Sequence, residues 1–303
     1  MTNQMKADLA LLIITVGWGA SFILVKDSLA QLETFNFLAI RFSLAFIISA
    51  LIFIQRIRCI DRQTLKYSFI LGCTLFAHYA LQTIGLNYTT ASKSAFITGL
   101  NVVMVPLLAA FINKKTPERK ILLSVLLAIT GLGLLTLKQS VAEINIGDLL
   151  TIGCALVFSL YIILVDRYTT KVDSIVLAIM QLGVVALLSL VYTVFFKNPI
   201  VPGYSDVWVN ILILSLVCTS GAYIVQNVAQ RFTSPSHTAL IYTAEPVFAA
   251  MFGYIFFKET LGAKGTIGAV MILMGMIISE LDLENIFNRK SRLSGFLKLN
   301  QRQ

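Results

Sequence analysis

Apolar segments, each about twenty residues long and separated by short polar stretches, follow one another along the whole chain. A segment of that length crosses the hydrocarbon core of a bilayer as an α-helix. The charged fraction of 13% and the mean hydropathy of +0.83 exclude a soluble domain, whose surface needs more charge. The pattern predicts an all-α integral membrane protein. Its ten predicted transmembrane helices run approximately over 8–25, 35–55, 67–87, 94–113, 120–138, 147–165, 173–196, 208–229, 236–257 and 262–281.

Lysine and arginine are distributed unequally between alternate loops. The set that includes 56–66, 114–120 and the tail from 282 to 303 is much richer in positive charge than the opposite set. The positive-inside rule assigns the richer set to the cytoplasm. We therefore expect a multi-pass protein of the plasma (inner) membrane with both termini in the cytoplasm. Because the net charge of +9 lies in these loops and the tail, it favours contact with the lipid bilayer and argues against nucleic acid.

The second half of the chain repeats the first. Residues Tyr88–Thr116 align without gaps on Phe232–Thr260, and Ala7–Val25 align on Gly147–Val165. The offset of the first alignment also pairs Tyr79 with Tyr223, Gln82 with Gln226 and Gly131 with Gly275.

The repeat divides the chain into a first five-helix repeat at 1–140, a second at 141–281 and a basic cytoplasmic tail at 282–303. Because five is an odd number, the second repeat would enter the membrane inverted relative to the first. Inverted-topology repeats are characteristic of carriers that expose one central site alternately to the two sides of the membrane.

A carboxylate lies within one of the apolar segments, where Glu245 is followed directly by Pro246. An ionised carboxylate in hydrocarbon is costly, so Glu245 should face a cavity, meet a partner or stay protonated. In the repeat alignment it pairs with Asn101, and the two residues approach the midplane from opposite faces. We predict that both bind substrate and that Glu245 couples transport to protons. The alternative for Glu245 is an interhelical hydrogen bond to Gln226 or Tyr223 that locks the fold.

Other polar and aromatic side chains in the apolar segments are candidates for the same site. His78 and Gln82 share one helical face, and an imidazole can relay protons or bind a carboxylate. His78 is therefore the second proton-coupling candidate. The predicted substrate-binding residues besides Asn101 and Glu245 are Trp18, His78, Tyr79, Gln82, Tyr223 and Gln226. The alternative for each of them is packing or interhelical hydrogen bonding, at about 1 kcal/mol per bond.

Arg41 lies in the second apolar segment. A structural role, with the guanidinium reaching outward to the membrane surface, is favoured over contact with a substrate anion or with Glu245. Glycines in the last segment, such as Gly265 and Gly268, form small-residue faces that permit helix sliding or a homodimer.

No catalytic motif occurs in the chain, which contains no GxSxG, HExxH or Walker sequence. We therefore predict a protein that is not an enzyme and that has no cofactor. No metal site is predicted, because His78 has no second His or Cys at ligand spacing. Without an ATP site, active transport would depend on an ion gradient or on exchange.

Three segments carry a resemblance to a known family: WGASFILVKD, followed by Arg41; GLNYTTASKSAFITGLNVVMVPLL; and EPVFAAMFGYIFFKETL. In this order they resemble the drug/metabolite transporter (DMT) superfamily, EamA-type permeases, from about Asp8 to Leu281. The resemblance implies a ten-helix inverted-repeat carrier of bacterial plasma membranes, often one that exports amino acids or other metabolites. Such chains often have a proline between the first helix and the arginine, and this chain has none there.

The sequence thus predicts a secondary-active transporter of a small polar metabolite, an amino acid or related solute, that works by alternating access. Export and proton coupling are the favoured mode. The alternatives are an uncoupled facilitator and a non-enzymatic membrane sensor or accessory subunit.

Overall fold

The computed structural model describes residues 2–89, 91–114, 116–117, 119–136, 145–257 and 262–280. These residues are helical apart from short connections, which confirms the all-α prediction. The helices are α1 (Asn3–Leu29), α2 (Thr34–Ile52), α3 (Ile54–Ile57), α4 (Arg62–Tyr88), α5 (Ala91–Gly99), α6 (Asn101–Asn113), α7 (Arg119–Thr136), α8 (Ile146–Thr169), α9 (Ser174–Phe196), α10 (Ser205–Ser215), α11 (Ala222–Ala229), α12 (Pro235–Tyr242), α13 (Glu245–Phe257) and α14 (Ala263–Glu280). The predicted tail at 282–303 and the predicted repeat boundary at 140 lie outside the described residues.

Several of these helices are long and apolar enough to cross a membrane, so the chain is a multi-pass membrane protein. In the part of the chain that the structure describes, six segments meet the criterion: Asn3–Leu29, Thr34–Ile52, Arg62–Tyr88, Ile146–Thr169, Ser174–Phe196 and Ser205–Ala229. Shorter apolar helices cover Ile97–Asn113 and Ala263–Gly275. Large apolar side chains such as Phe111 and Phe195 remain exposed on the helix surfaces, as contact with lipid requires.

Acidic N-caps start equivalent helices in the two halves. Glu33 precedes α2, and its carboxylate accepts hydrogen bonds from the backbone N–H groups of the second and third residues after it. Asp173 precedes α9 and makes the same two bonds. The offset that places Ala7 on Gly147 also places Glu33 on Asp173. Each cap satisfies donors that the first helical turn leaves open, and so it fixes where the helix begins.

Close helix packing depends on small residues. α4 packs against α8 and α9, α2 against α9, and α7 against α14. An added Cβ at Gly131 of α7 would lie 2.6 Å from the carbonyl oxygen of Gly268 in α14, and one at Gly275 of α14 would lie 2.9 Å from that of Ser124 in α7. Since Gly131 and Gly275 are equivalent in the repeat, this packing is reciprocal, and the two backbones come into direct contact.

Two of the predicted transmembrane segments are broken at equivalent positions. α5 ends at Gly99 and α6 begins at Asn101, whereas α12 ends at Tyr242 and α13 begins at Glu245. In the second break Pro246 has no N–H to donate to the carbonyl four residues earlier, so a continuous ladder of helical bonds cannot form there. A different irregularity separates α10 from α11, where Leu216–Gly221 form a π-helical turn.

Candidate functional site

A cavity with an empty volume of about 440 Å³ lies where α1, α2, α4, α5, α8, α11 and α13 meet. Its wall consists of Trp18, Ser21, Phe22, Val25, Arg41, His78, Tyr79, Gln82, Leu86, Thr98, Phe158, Tyr223 and Glu245. It extends from Trp18, near the middle of α1, to Val25 and Leu86, which lie near the C-terminal ends of α1 and α4. Those ends belong to the side of the bundle that is poor in Lys and Arg.

Glu245 is the acidic member of the cavity wall, as the sequence pattern had suggested for a buried carboxylate. It is the first residue of α13, where open backbone N–H groups and the helix dipole favour a negative charge. Within the described residues it makes no hydrogen bond to Tyr223 or Gln226. Tyr223 instead donates to Tyr79, and Gln226 donates to Gln230. The structure therefore does not support the alternative that Glu245 locks the fold through either side chain.

Arg41 is a cavity residue that the sequence interpretation placed wrongly. Its side chain does not reach outward: the residue is 2% exposed, and its Nε donates to the hydroxyl of Thr219 over 2.8 Å. The guanidinium carbon lies 5.1 Å from the ring centroid of Tyr79, within the range of a cation–π contact. No ion pair joins Arg41 to Glu245, although both side chains are described and both line the cavity.

Aromatic side chains from both halves of the chain meet in the cavity wall. The hydroxyl of Tyr223 donates to that of Tyr79 over 2.9 Å, and these equivalent residues are 144 positions apart. Trp18 and Phe158, which are also equivalent, are in edge-to-face contact with ring centroids 6.1 Å apart. Trp18 further packs against Tyr242, at 5.0 Å between centroids. The prediction that Trp18 lines a cavity thus matches its position, although the ring packs at the same time.

His78 has contacts typical of a packed residue. It is 3% exposed, its ring stacks on Phe158 at 4.4 Å, and its Nδ1 lies 3.2 Å from the Sγ of Cys154 and 3.4 Å from the Cys154 carbonyl oxygen. It nevertheless belongs to the cavity wall, one turn before Gln82. Its proton-coupling role stays a prediction.

Two of the predicted binding residues are not in the cavity wall. Asn101, the first residue of α6, is 3% exposed, and its side-chain oxygen is buried without a hydrogen-bond partner in the described structure. Gln226 is fully buried and bonds to Gln230 at 2.9 Å. Their equivalents in the repeat, Glu245 and Gln82, do line the cavity.

The π-helical turn supplies polar partners to the cavity residues. The indole Nε1 of Trp18 donates to the carbonyl oxygen of Cys218 over 2.9 Å, and Arg41 donates to Thr219. A π-turn shifts the backbone ladder by one residue, which exposes groups that an α-helix would keep. The single-sequence pattern gave no signal for this turn, because its residues form an ordinary apolar run.

A metal site finds no support in this part of the chain. Within the described ranges, no group of three or more His, Cys, Asp or Glu side chains lies close enough together to hold an ion. The cavity wall offers one guanidinium, one carboxylate, one imidazole and several neutral hydrogen-bonding groups. This set suits recognition of a small polar solute.

The model of the EamA-like transporter family matches the chain twice, over residues 5–137 and 145–281. This protein belongs to the EamA-like transporter family. The match confirms the resemblance drawn from the three sequence segments, and it makes the chain a membrane transporter.

Relatives of this EamA-like protein are similar over nearly their whole length. One is an uncharacterized transporter of Archaeoglobus fulgidus, which is 32% identical over 92% of this chain and 87% of the relative. Another is the uncharacterized transporter YyaM of Bacillus subtilis, at 25% identity over 92% of this chain and 94% of the relative. A protein of known crystal structure shares the fold of the EamA-like chain, with a TM-score of 0.76 at 15% identity over 93% of this chain and 99% of that one.

Proposed function

We propose that this EamA-like protein is a secondary-active exporter of a small zwitterionic metabolite, an amino acid or a close relative. It works by alternating access between two inverted five-helix repeats, 1–140 and 141–281, which together form ten transmembrane helices. Both termini and the tail at 282–303 face the cytoplasm, and the protein lies in the plasma membrane. The two separate family matches, one on each half, support this division.

Contacts between equivalent residues support a site at the junction of the repeats. Two residues related by a two-fold axis can touch only where both lie beside that axis. Tyr79 touches Tyr223, and Trp18 touches Phe158. The pseudo-two-fold axis would therefore pass through the cavity, which is the position expected for the site of an inverted-repeat carrier. The paired helix breaks before Asn101 and Glu245 resemble the discontinuous helices of such sites.

The observation that carries the substrate class is the presence of Arg41 and Glu245 in one cavity without an ion pair between them. Each charge is taken out of bulk water, and each needs an opposite charge. A zwitterion offers both at once, a carboxylate for the guanidinium and an ammonium for Glu245. The aromatic wall of Trp18, Phe158 and Tyr223 would then receive the apolar part of the solute.

The proposal is tested by counterflow in liposomes that contain only this protein. The labelled solutes form a panel of neutral amino acids, and each amino acid that accumulates is then competed with its N-acetyl derivative and its amide. We expect the free amino acid to compete, whereas both derivatives fail, because each lacks one charge. Equal competition by a derivative would rule out recognition of both charges. No accumulation of any label by folded protein would favour an accessory-subunit role.

Proton coupling is a separate part of the proposal and rests on Glu245. We expect Glu245→Gln to keep counterflow but to lose accumulation driven by a pH gradient, because the amide cannot carry a proton. Asp61→Asn is the matched control, since it makes the same chemical change at an N-cap outside the cavity. His78→Asn tests the second candidate. Unchanged gradient-driven transport by Glu245→Gln would remove Glu245 from the coupling, whereas a wild-type protein without gradient-driven accumulation would be an uncoupled facilitator.

A further inference from the structure

The cavity has a counterpart in the other half of the chain. The alignments that pair Trp18 with Phe158 and Tyr79 with Tyr223 also pair other residues of the cavity wall with residues on the opposite side of the bundle. Ser21 pairs with Tyr161, Gln82 with Gln226, Leu86 with Gln230 and Thr98 with Tyr242. The equivalent N-caps of α2 and α9 extend the pairing to Arg41 and Gln181. The cavity wall is therefore repeated as a second set of residues near the C-terminal ends of α8 and α11.

The second set is more deeply buried than the most exposed polar residues of the first. Ser21, Gln82 and Glu245 of the cavity wall are half-buried. In contrast, Tyr161 and Gln226 are fully buried. The second set is nevertheless polar, with three glutamines and two tyrosines that pack between helices: Gln181, Gln226, Gln230, Tyr161 and Tyr242. Such a concentration of amides and phenols is more than helix packing requires, because apolar side chains would pack equally well.

Several polar atoms of this second set are buried without partners. The Nε2 of Gln181, the Oε1 of Gln226 and the hydroxyl of Tyr242 make no hydrogen bond within the described structure. Buried polar groups are normally satisfied, so each unsatisfied atom needs an explanation. Exposure to water or to solute in another conformation supplies one, because the atoms would be satisfied in that state.

A few hydrogen bonds hold the second set closed. The hydroxyl of Tyr161 in α8 donates to Gln181 in α9 over 3.0 Å. The Nε2 of Gln230, at the end of α11, donates to the carbonyl oxygen of Ile162 in α8 over 3.2 Å. Near the same end of the bundle, Asp8 of α1 lies 3.7 Å from His237 of α12. Each contact joins two helices and is individually weak, so the helices can separate without disruption of either helix.

We propose that Tyr161, Gln181, Gln226, Gln230 and Tyr242 form a second vestibule on the cytoplasmic side, closed in this structure, through which the solute reaches the central site. This proposal rests on the proposed carrier function. The vestibule binds through neutral amides and phenols, in contrast to the outer cavity, which contains Arg41 and Glu245. A zwitterion can pass it without being held by a full charge.

Cysteine labelling tests the vestibule without knowledge of the substrate. In a background in which the four native cysteines are replaced by serine, Gln226→Cys is compared with its repeat equivalent Gln82→Cys. The probe is a membrane-impermeant trimethylammonium methanethiosulfonate, applied to either side of the membrane. Tyr161→Cys and Ser21→Cys form a second pair in case one variant fails to fold. Ala128→Cys, fully buried in α7, is the control for non-specific unfolding.

We expect Gln82→Cys to react only from outside and Gln226→Cys only from the cytoplasm. A minor conformation is typically populated at about 0.1–10%. The Gln226→Cys variant should therefore react at roughly that fraction of the rate of Cys59 in the wild-type protein, which is exposed in the loop after α3. In a double variant that carries both Gln82→Cys and Gln226→Cys, prior modification at position 82 should hold the outer cavity open. Labelling at position 226 from the cytoplasm should therefore be slower.

The vestibule is refuted if Gln226→Cys and Tyr161→Cys react no faster than Ala128→Cys, or if they react equally from both sides. Counterflow with no cytoplasmic labelling would leave the carrier function intact and reject the vestibule. Labelling with the expected sidedness but without counterflow of the amino-acid panel would support the vestibule and reject the substrate class.

Discussion

The substitution Gly19→Ala tests whether the contact between α1 and α13 positions Glu245. This glycine of α1 packs against the start of α13, where an added Cβ would lie 2.8 Å from the carbonyl oxygen of Glu245, 2.8 Å from the Cβ of Phe248 and 2.9 Å from the backbone nitrogen of Ala249. None of these atoms is the end of a flexible side chain. Gly19→Ala must therefore move α1 away from α13, and overpacking of this kind costs about 1–3 kcal/mol.

Gly17→Ala is the matched control, because it lies on the same helix two residues earlier. Its Cβ would meet no atom closer than 3.8 Å, which is ordinary van der Waals contact. Both substitutions change helix propensity by the same amount, about 1 kcal/mol in favour of alanine, so the difference between them isolates the steric term. We expect Gly19→Ala to be the less stable variant by about 1–3 kcal/mol in reversible unfolding in detergent.

The same pair of variants connects the packing with transport. Below the melting temperature of both, Gly19→Ala should transport more slowly than Gly17→Ala, because a displaced α13 carries Glu245 away from the cavity. A Gly19→Ala protein as stable and as active as Gly17→Ala would show that the α1–α13 contact does not position the carboxylate.

Three further predictions follow from the contacts of single side chains. Arg41→Lys should raise the half-saturating concentration of the transported solute about 10–100-fold, since a charged hydrogen bond contributes about 1.5–3 kcal/mol. An unchanged half-saturating concentration in counterflow would show that Arg41 does not recognise the solute. Tyr223→Phe should lower the free energy of unfolding by about 0.6 kcal/mol, because it removes the hydrogen bond to Tyr79. The double variant Tyr223→Phe with Tyr79→Phe should lower it by little more, because the same single bond is lost. Additive losses would show that the two hydroxyls do not share this bond. Arg56→Ala should cost at most about 1 kcal/mol, since its 3.2 Å ion pair with Asp173 is exposed. Asp173→Ala should cost about 1 kcal/mol more in the same unfolding assay, because it also removes the cap of α9, and equal losses would show that the cap contributes nothing.

Sequence periodicity located the apolar helices well but not their interruptions. Length and hydropathy define a membrane helix, so α1, α4 and α9 follow directly from the apolar runs. The break before Glu245 could be anticipated from Pro246. The break at Leu100 follows Gly99, which weakens a helix, but a single glycine is tolerated inside many helices and does not predict a break by itself.

The candidate site was predicted from the rarity of polar residues in apolar segments. That criterion selected Glu245, Gln82 and Tyr79, all of which line the cavity, because a polar side chain in an apolar segment must avoid the hydrocarbon. It failed for Arg41, since a long side chain can either reach the surface or turn inward, and only the position of Thr219 on the neighbouring helix decides between the two. Gln226 met the same criterion but lies outside the cavity wall, because it is fully buried and bonds to Gln230.

The two halves are unequal in the charges that they contribute to the proposed site. A perfectly symmetric inverted repeat would have outward-facing and inward-facing states of equal free energy, because a two-fold rotation converts one state into the other. Here Arg41 is matched by Gln181 and Glu245 by Asn101. Arg41 is already buried and bonded to Thr219, so closing the cavity without solute would newly bury mainly the half-buried Glu245 carboxylate, whereas closing the proposed vestibule buries only neutral groups. On the proposed function, the empty protein should therefore favour the state in which this cavity is open, and the ammonium group of a bound zwitterion should remove that bias by neutralising Glu245. The proposed solute would then itself lower the free energy of the transition between the two states, as the proposed alternating access requires.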